Sequence, residues 1–183
     1  MTTELTNLAA ALLGLLAQGP ATGYDLSRRM DRRVRPFWEA QHSQIYPELG
    51  RLQAAGLVGH EVVTGAGPRP TKRYHLSPAG RARLVEWVTT PPGRQPDRDP
   101  LMLRVMSFWL ADTSSARAVI EEVLQDHRAR LADYLAQRDH FSHAPSRHDP
   151  TFGSWATLHA GISYERHRIR WCQWLLRELA DRR

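Results

Sequence analysis

The chain has 183 residues, of which 42% are hydrophobic and 24% are charged, as is typical of a soluble globular protein with one large or two small domains. Its single cysteine excludes an intramolecular disulfide and a multi-cysteine zinc site. The longest apolar run, residues 8–17, is too short to span a bilayer, which needs about 20 residues, and no basic segment typical of a signal peptide precedes it. We therefore expect a cytoplasmic protein with no membrane segment.

Charge is unevenly divided along the chain. The sequence carries 25 basic and 19 acidic residues, a net charge of +6. Residues 1–90 hold 11 basic and 7 acidic groups (+4), and residues 91–183 hold 14 and 12 (+2). An excess of this size permits nucleic-acid binding without requiring it.

The first sixty residues predict three helices. A leucine-rich helix ends at Gly19 and Pro20, and a second helix begins at the capping-box-like pair Thr22 and Asp25 and ends before Pro36. Four arginines on the second helix are typical either of a solvated face or of phosphate contacts: Arg28, Arg29, Arg32 and Arg33.

The third helix, residues 42–55, has an apolar stripe and a polar opposite face. Ile45, Leu49 and Leu52 form the stripe by their spacing. Pro47 is tolerated only near a helix start, which predicts an N-cap at Ser43 or beside it, and a glycine cap ends the helix at Gly56. The polar face presents Ser43, Gln44, Tyr46, Glu48 and Arg51. Free amides at such a helix start favour an anion, such as a DNA phosphate.

A β-hairpin follows this helix. Residues 57–63 and 72–76 alternate as strands do, and residues 64–71 form a turn rich in glycine and proline. Its tip carries Arg69, Lys72 and Arg73. Such a hairpin after a helix-turn-helix is typical of a wing that contacts the DNA backbone or minor groove.

A proline-rich segment, residues 91–100, predicts the domain boundary. Before it, Ser77 and Pro78 begin a helix with an apolar side at Leu84, Trp87 and Val88. We expect a winged helix-turn-helix domain at residues 1–92 and a helical dimerisation domain at 93–183. The fold class is thus mainly α with a small β-hairpin wing.

The second half predicts a short buried helix at residues 101–110 and two long helices. The last helix has two series of residues spaced by seven, which suits packing within the domain or between chains. Glu165 is either a ligand group or a polar residue that fixes the register, paired with an arginine across the interface. The predicted dimer interface comprises Trp155, Leu158, Ile162, Glu165, Ile169, Cys172, Leu176 and Leu179.

Three motifs resemble the winged-helix domain of PadR-type transcriptional regulators. They are GYDL at residues 23–26, SQIYPELGRLQAAGLV at 43–58 and KRYHLSPAGR at 72–81. The second half resembles the larger PadR subgroup with a helical dimerisation domain. The resemblance implies a homodimer that binds an inverted-repeat operator in double-stranded DNA, usually as a repressor, and that a small molecule or stress signal releases.

By the same resemblance, Ser43, Gln44 and Tyr46 face the major groove and Arg51 faces a phosphate. Lys72 and Arg73 supply the wing contact with Arg69 at its tip, and Tyr24 lies near the DNA backbone. Two alternatives stay open. Tyr46 either contacts DNA or packs its ring on the second helix, and Glu48 either reads a cytosine or repels wrong registers.

The same resemblance implies that Trp87, Trp109 and Trp155 line a pocket for a flat apolar ligand, such as a small aromatic effector, although core packing also explains them. His140, His143 and His148 have a spacing that suits a metal, and Cys172 suits a redox switch, but we predict no metal, no cofactor and an inert cysteine. No catalytic motif is present, so we expect no enzyme. The alternative function is a winged-helix module for protein interaction or ligand sequestration that does not bind specific DNA.

Overall fold

The computed structural model describes residues 5–33, 42–64, 70–93 and 98–180, and the side chains of residues 32 and 33 are not described. The chain divides into two compact units, Met1–Gly93 and Arg94–Arg183. Within the described ranges no helix is long and apolar enough to cross a membrane.

The first unit is built around helix α1, Asn7–Leu16. Seven of its ten residues are buried, because its leucines and alanines cover most of its circumference. Strand β1, Ala21–Thr22, follows, and then helices α2, Gly23–Arg33, and α3, His42–Ala54. The apolar stripe of α3 packs into the same core as α1 and α2.

The start of α2 is a capping box. The Thr22 hydroxyl oxygen accepts from the Asp25 backbone N–H at 3.1 Å, and the Asp25 carboxylate accepts from the Thr22 backbone N–H at 3.2 Å. Two amides that a helix start leaves unpaired are therefore satisfied reciprocally. This confirms the start predicted from Thr22 and Asp25, whereas Val34 and Pro36 lie outside the described residues.

Helix α3 ends in a glycine cap, as predicted. Gly56 has φ +69°, a conformation that residues with a Cβ rarely adopt. The backbone N–H of Leu57 donates to the Leu52 carbonyl at 2.9 Å, and that of Gly56 donates to the Gln53 carbonyl at 3.0 Å. This pair of bonds is the Schellman motif.

The wing consists of strands β2, Val58–Val63, and β3, Thr71–Leu76. These strands are antiparallel, and β1 adds a third strand on the other edge of β3, giving the order β1-β3-β2. Thr22 lies opposite Arg73, and Ala21 lies opposite Tyr74. Tyr74 is buried in the core, as its alternation with exposed neighbours predicts. The sheet thus joins the wing to the start of α2.

Helix α4, Pro78–Thr89, ends the first unit. Ser77 is its N-cap and accepts from the Gly80 amide at 3.0 Å, as predicted. Leu84 packs against the core, but Trp87 and Val88 are 40% and 62% exposed. The expected apolar side of this helix is therefore only partly covered.

The second unit begins with helix α5, Pro100–Val105, and a 3-10 helix, Phe108–Leu110. The single buried helix expected at residues 101–110 is wrong, because the chain turns between these pieces. Leu101 is buried, but Trp109 is 81% exposed. Helices α6, Thr113–Arg138, and α7, Phe152–Ala180, complete the unit and pack on each other.

Part of the predicted dimer seam lies inside this chain. Ile162, Glu165 and Cys172 are 3%, 4% and 0% exposed in the single chain. They belong to the packing between α6 and α7, so their assignment to a contact with a second chain is corrected. A stripe with two apolar positions per heptad can pack on a helix of the same chain as well as on a helix of a second chain. The other five residues are only partly buried: Trp155, Leu158, Ile169, Leu176 and Leu179.

Candidate nucleic-acid interface

Helix α3 presents a polar and aromatic face outside the core. Ile45, Leu49 and Leu52 are at most 3% exposed, so they fix the rotation of the helix about its axis. This rotation leaves three predicted groove-facing residues exposed: Ser43, Gln44 and Tyr46. Hydroxyl and amide groups at such positions can hydrogen-bond to base edges.

The helix begins at the start of its predicted range, but the N-cap expected at Ser43 or beside it is wrong. It begins at His42, so Ser43 lies inside the helix and Pro47 lies in its second turn. Pro47 therefore removes one intrahelical hydrogen bond, the one that its N–H would donate to the Ser43 carbonyl.

Glu48 does not belong to the exposed face. It is 5% exposed, and its carboxylate accepts from the Thr6 hydroxyl and from the Arg51 guanidinium, both at 2.9 Å. Both readings of Glu48 from the sequence, a cytosine contact and a repulsive charge, are therefore wrong. Its position three residues after Ile45 puts it at the edge of the buried stripe, where it ties α3 to the start of α1.

Arg51 keeps most of its side chain in solvent. Its side chain is 75% exposed although it bonds to Glu48. The ion pair anchors the guanidinium at the C-terminal end of α3 while leaving other N–H groups free to donate, since a guanidinium carries five.

The wing strand β3 exposes Lys72 and Arg73. Because Arg73 lies opposite Thr22, this cation is next to the strand that leads into α2. Arg69, the predicted tip residue, lies outside the described residues.

Tyr24 lies in the first turn of α2 and is 64% exposed. The guanidinium of Arg28 lies 6.0 Å from its ring centroid, a cation–π distance. Arg29 instead points at the end of α1, where it donates to the carbonyls of Leu15 at 3.5 Å and Gly19 at 3.4 Å. The arginine run of α2 therefore includes one residue that caps a neighbouring helix.

Tyr46 packs on α2 and is also exposed. Its ring lies against Gly23, so that a Cβ added at Gly23 would be 2.5 Å from Cε1 of the ring. Yet 58% of Tyr46 remains accessible. Burial raises the pKa of the Tyr74 phenol, and the Tyr46 side chain raises it further.

Ser27 and Asp31 of α2 both contact His42, the first residue of α3. The Ser27 hydroxyl contacts Nδ1 of the imidazole, and the Asp31 carboxylate lies 3.0 Å from Nε2. The spacing of Ser27 and Asp31 puts them on one side of α2. Sequence reasoning missed this contact, because its members are up to 15 residues apart.

The three tryptophans predicted to line a pocket lie in different surroundings. Trp87 is on α4 and Trp109 is on the 3-10 helix, where it is 81% exposed. Trp155 of α7 has ring contacts with Phe152 at 5.9 Å and His159 at 4.5 Å. In the described part of the second unit, the rings of Trp155 and Trp109 are not in contact with each other.

A buried polar cluster joins α6 and α7. The Glu165 carboxylate contacts Nδ1 of His127 at 2.5 Å and Nε of Arg130 at 3.3 Å. The arginine expected across an interface is therefore in the same chain. Beside the cluster, Arg168 donates to Asp99, the N-cap of α5, at 2.8 Å.

Cys172 is fully buried, and burial raises the pKa of its thiol, which disfavours the reactive thiolate. Among the residues that the structure describes, no group of three or more His, Cys, Asp or Glu side chains is arranged to hold a metal ion. The loop histidines His140, His143 and His148 are exposed.

Three helices, a wing and an exposed polar face on the third helix define the winged helix-turn-helix class of DNA-binding domain. Residues 12–86 match the transcriptional regulator PadR-like family, and residues 98–180 match the family described as virulence activator alpha C-term. The first half of the chain therefore has the sequence and the fold of a PadR-like transcriptional regulator.

Relatives match nearly the whole chain. The negative transcriptional regulator PadR of Bacillus subtilis is 27% identical over 173 residues, covering 92% of this chain and 95% of that protein. Its crystal structure in complex with operator DNA superposes with a TM-score of 0.88 at 26% identity, over 95% of this chain and 99% of that one. The Vibrio cholerae virulence activator AphA superposes with a TM-score of 0.73 at 26% identity, over 95% and 98%.

Proposed function

We propose that this protein is a homodimeric, sequence-specific DNA-binding repressor that a small aromatic molecule releases from its operator. The observation that carries the proposal is the face of α3, where Ser43, Gln44 and Tyr46 are exposed, in a unit whose wing also exposes the cations Lys72 and Arg73. The similarity to a chain that was crystallised with operator DNA supports the same function.

On this proposal the two parts of the surface have different tasks. The hydroxyl and amide groups of α3 read base edges in the major groove, because only the groove presents a sequence-dependent pattern of donors and acceptors. Lys72, Arg73 and Arg51 contact phosphates, which adds affinity without sequence preference. Tyr24 supports the same backbone contact from the start of α2.

We further propose that the second unit, residues 94–183, forms the dimer. Its exposed large apolar side chains support this, since isolated soluble domains rarely leave so many together. Four of these side chains lie between residues 103 and 110, along α5 and the 3-10 helix. They are Leu103, Met106, Trp109 and Leu110, which are 70%, 76%, 81% and 71% exposed. Of the five partly buried residues of the α7 seam, Ile169, Leu176 and Leu179 also pack on the core of this unit, and we keep the exposed parts of all five as candidate dimer contacts.

The effector proposal rests on a relative. The B. subtilis PadR structure with p-coumaric acid superposes with a TM-score of 0.83 at 27% identity, over 95% of this chain and 99% of that one. A planar aromatic acid of this kind suits stacking on tryptophan rings, and we keep the exposed Trp87 and Trp109 and the half-buried Trp155 as separate candidate contacts.

We infer that the protein acts in the cytoplasm and has no catalytic activity of its own. The similar proteins are regulators by name. The Ser27–His42–Asp31 contact resembles a hydrolase grouping in composition, but its imidazole meets the serine through Nδ1 and the aspartate through Nε2, and the His42 side chain is 58% exposed. We assign it to holding α2 and α3 together.

Selection of bound duplexes from a random DNA library tests the proposal. We expect an inverted repeat whose half-sites are about 34 Å apart, one helical turn, because a twofold dimer places two α3 helices in successive major grooves. Adding p-coumaric acid as the probe should release the selected duplex. Recovery of no motif, from protein shown to be folded, would favour the alternative of an interaction module.

A further inference from the structure

We propose that Gly23 is a positioning residue for DNA recognition: the absence of a side chain there sets the orientation in which Tyr46 faces the groove. The inference rests on the proposed function and assigns a role to a residue that contacts no DNA itself. It starts from one close approach, in which a Cβ at Gly23 would lie 2.5, 3.0 and 3.2 Å from Cε1, Cζ and Cδ1 of the Tyr46 ring.

Glycine is required here for space and not for backbone conformation. The glycines with positive φ in the described chain are Gly19 and Gly56, so the backbone of Gly23 accepts any residue. An ordinary contact between two carbon atoms needs at least 3.4 Å, whereas a Cβ at Gly23 would lie 2.5 Å from Cε1 of Tyr46. With alanine at this position, either the backbone or the ring must therefore move by about 1 Å. Gly23 itself is buried beneath the ring.

The group that moves is the tyrosine ring. The backbone of Gly23 is held from both sides, by the pairing of Thr22 with Arg73 and by the capping box between Thr22 and Asp25. Leu26, one turn later, is fully buried. In contrast, the Tyr46 ring is 58% exposed and turns about two side-chain torsions. The fold therefore tolerates alanine, while the recognition face changes.

A shift of this size is enough to affect recognition. Binding groups must be held within roughly 0.5 Å of their productive geometry, and the ring has to move by about twice that distance. Affinity for the specific site should fall, whereas binding to random DNA, which depends on the cations, should not.

A double-mutant cycle tests the inference on the full-length protein. Gly23→Ala should raise the Kd for the selected duplex about tenfold and leave the Kd for a scrambled duplex within about twofold. In a Tyr46→Ala background the same substitution should change the specific Kd by less than about twofold, because the ring is absent. Gly14→Ala is the matched control, since Gly14 is also helical and a Cβ there meets nothing within 4 Å.

Each result decides between the hypotheses. Equal specific affinity of Gly23→Ala and the wild type overturns this inference and leaves the proposed function intact. An effect that persists without the Tyr46 ring, or a loss of thermal stability in both backgrounds, assigns the glycine to the fold and also overturns it. A wild type with no site preference overturns the proposed function and the inference together.

Discussion

The two units treat polar side chains in different ways. In the described part of the first unit, the core is apolar apart from Glu48, and the polar residues Ser43 and Gln44 lie on the exposed face of α3. The second unit buries an imidazole and a carboxylate, His127 and Glu165, between its two long helices. At the same time it exposes leucine, methionine and tryptophan side chains on α5 and the 3-10 helix.

This difference fits a division of tasks. A surface that reads DNA needs hydrogen-bonding groups held by an inert apolar core, as in the first unit. A buried ion pair adds little net stability but disfavours other arrangements of the helices that surround it, and an exposed apolar surface favours association with another copy.

Glu165→Ala should have the largest effect on stability. Its removal leaves His127 buried without its carboxylate partner, which should lower the free energy of unfolding by about 3 kcal/mol. Urea denaturation of the full-length protein measures this change. Glu122→Ala, on the exposed side of α6, is the control and should stay within about 0.5 kcal/mol. A loss below about 1 kcal/mol for Glu165→Ala would mean that the cluster does not organise the second unit.

Glu48→Ala should destabilise the first unit by about 1–3 kcal/mol, because it removes the acceptor of the Thr6 hydroxyl. The sequence preference of DNA binding should be unchanged, since Glu48 is buried. Glu48→Gln retains an acceptor oxygen and should cost less. Repeating the DNA selection with Glu48→Ala tests whether the sequence preference is unchanged. An altered motif would mean that Glu48 contacts a base after all.

Asp25→Ala should lower stability by about 1 kcal/mol at neutral pH, since it removes half of the capping box. The hydrogen bonds from Thr22 lower the pKa of the Asp25 carboxyl below its ordinary value of 3.8. Its contribution is therefore present above pH 4 and is lost as the pH falls through the lower, folded-state pKa.

Urea midpoints of wild type and Asp25→Ala, measured from pH 7 to pH 2, should therefore converge at the acid end. Asp126→Ala, exposed on α6, is the matched control. A difference between wild type and Asp25→Ala that grows on acidification would contradict the cap.

Lys72→Ala should have the smallest effect. We expect weaker binding to all duplexes and a decrease of about 1 in the slope of log K against log salt concentration, because one phosphate contact is lost. Gln44→Ala should instead relax the sequence preference. Arg177→Ala removes an exposed charge from α7 and should change neither quantity. An unchanged salt slope for Lys72→Ala would mean that Lys72 does not contact a DNA phosphate.

Features that depend on neighbouring residues could be predicted from the sequence. The Thr22–Asp25 capping box, the glycine cap at Gly56 and the Ser77 N-cap follow from rules that span at most five residues. The two long wing strands follow from alternation and from the glycine and proline between them. Motif order then indicated the family correctly.

Features that depend on distant residues could not be predicted. Strand β1 has only two residues, too few for any periodicity, and the residues that pair with it are 51 and 53 positions later. Glu48 lies next to the apolar stripe, but its burial depends on the Thr6 hydroxyl, 42 residues away. The heptads of α7 could not distinguish a partner within the chain from one in a second chain, so Ile162, Glu165 and Cys172 were assigned to the wrong interface.

The most direct measurement of the central claim is fluorescence anisotropy of the full-length protein on DNA from its own upstream region, against a scrambled duplex, over a salt series. We expect tight, selective binding, two chains per duplex, and a salt dependence that Lys72→Ala reduces. Equal and weak binding to both duplexes, combined with a selection that returns no motif, would contradict it.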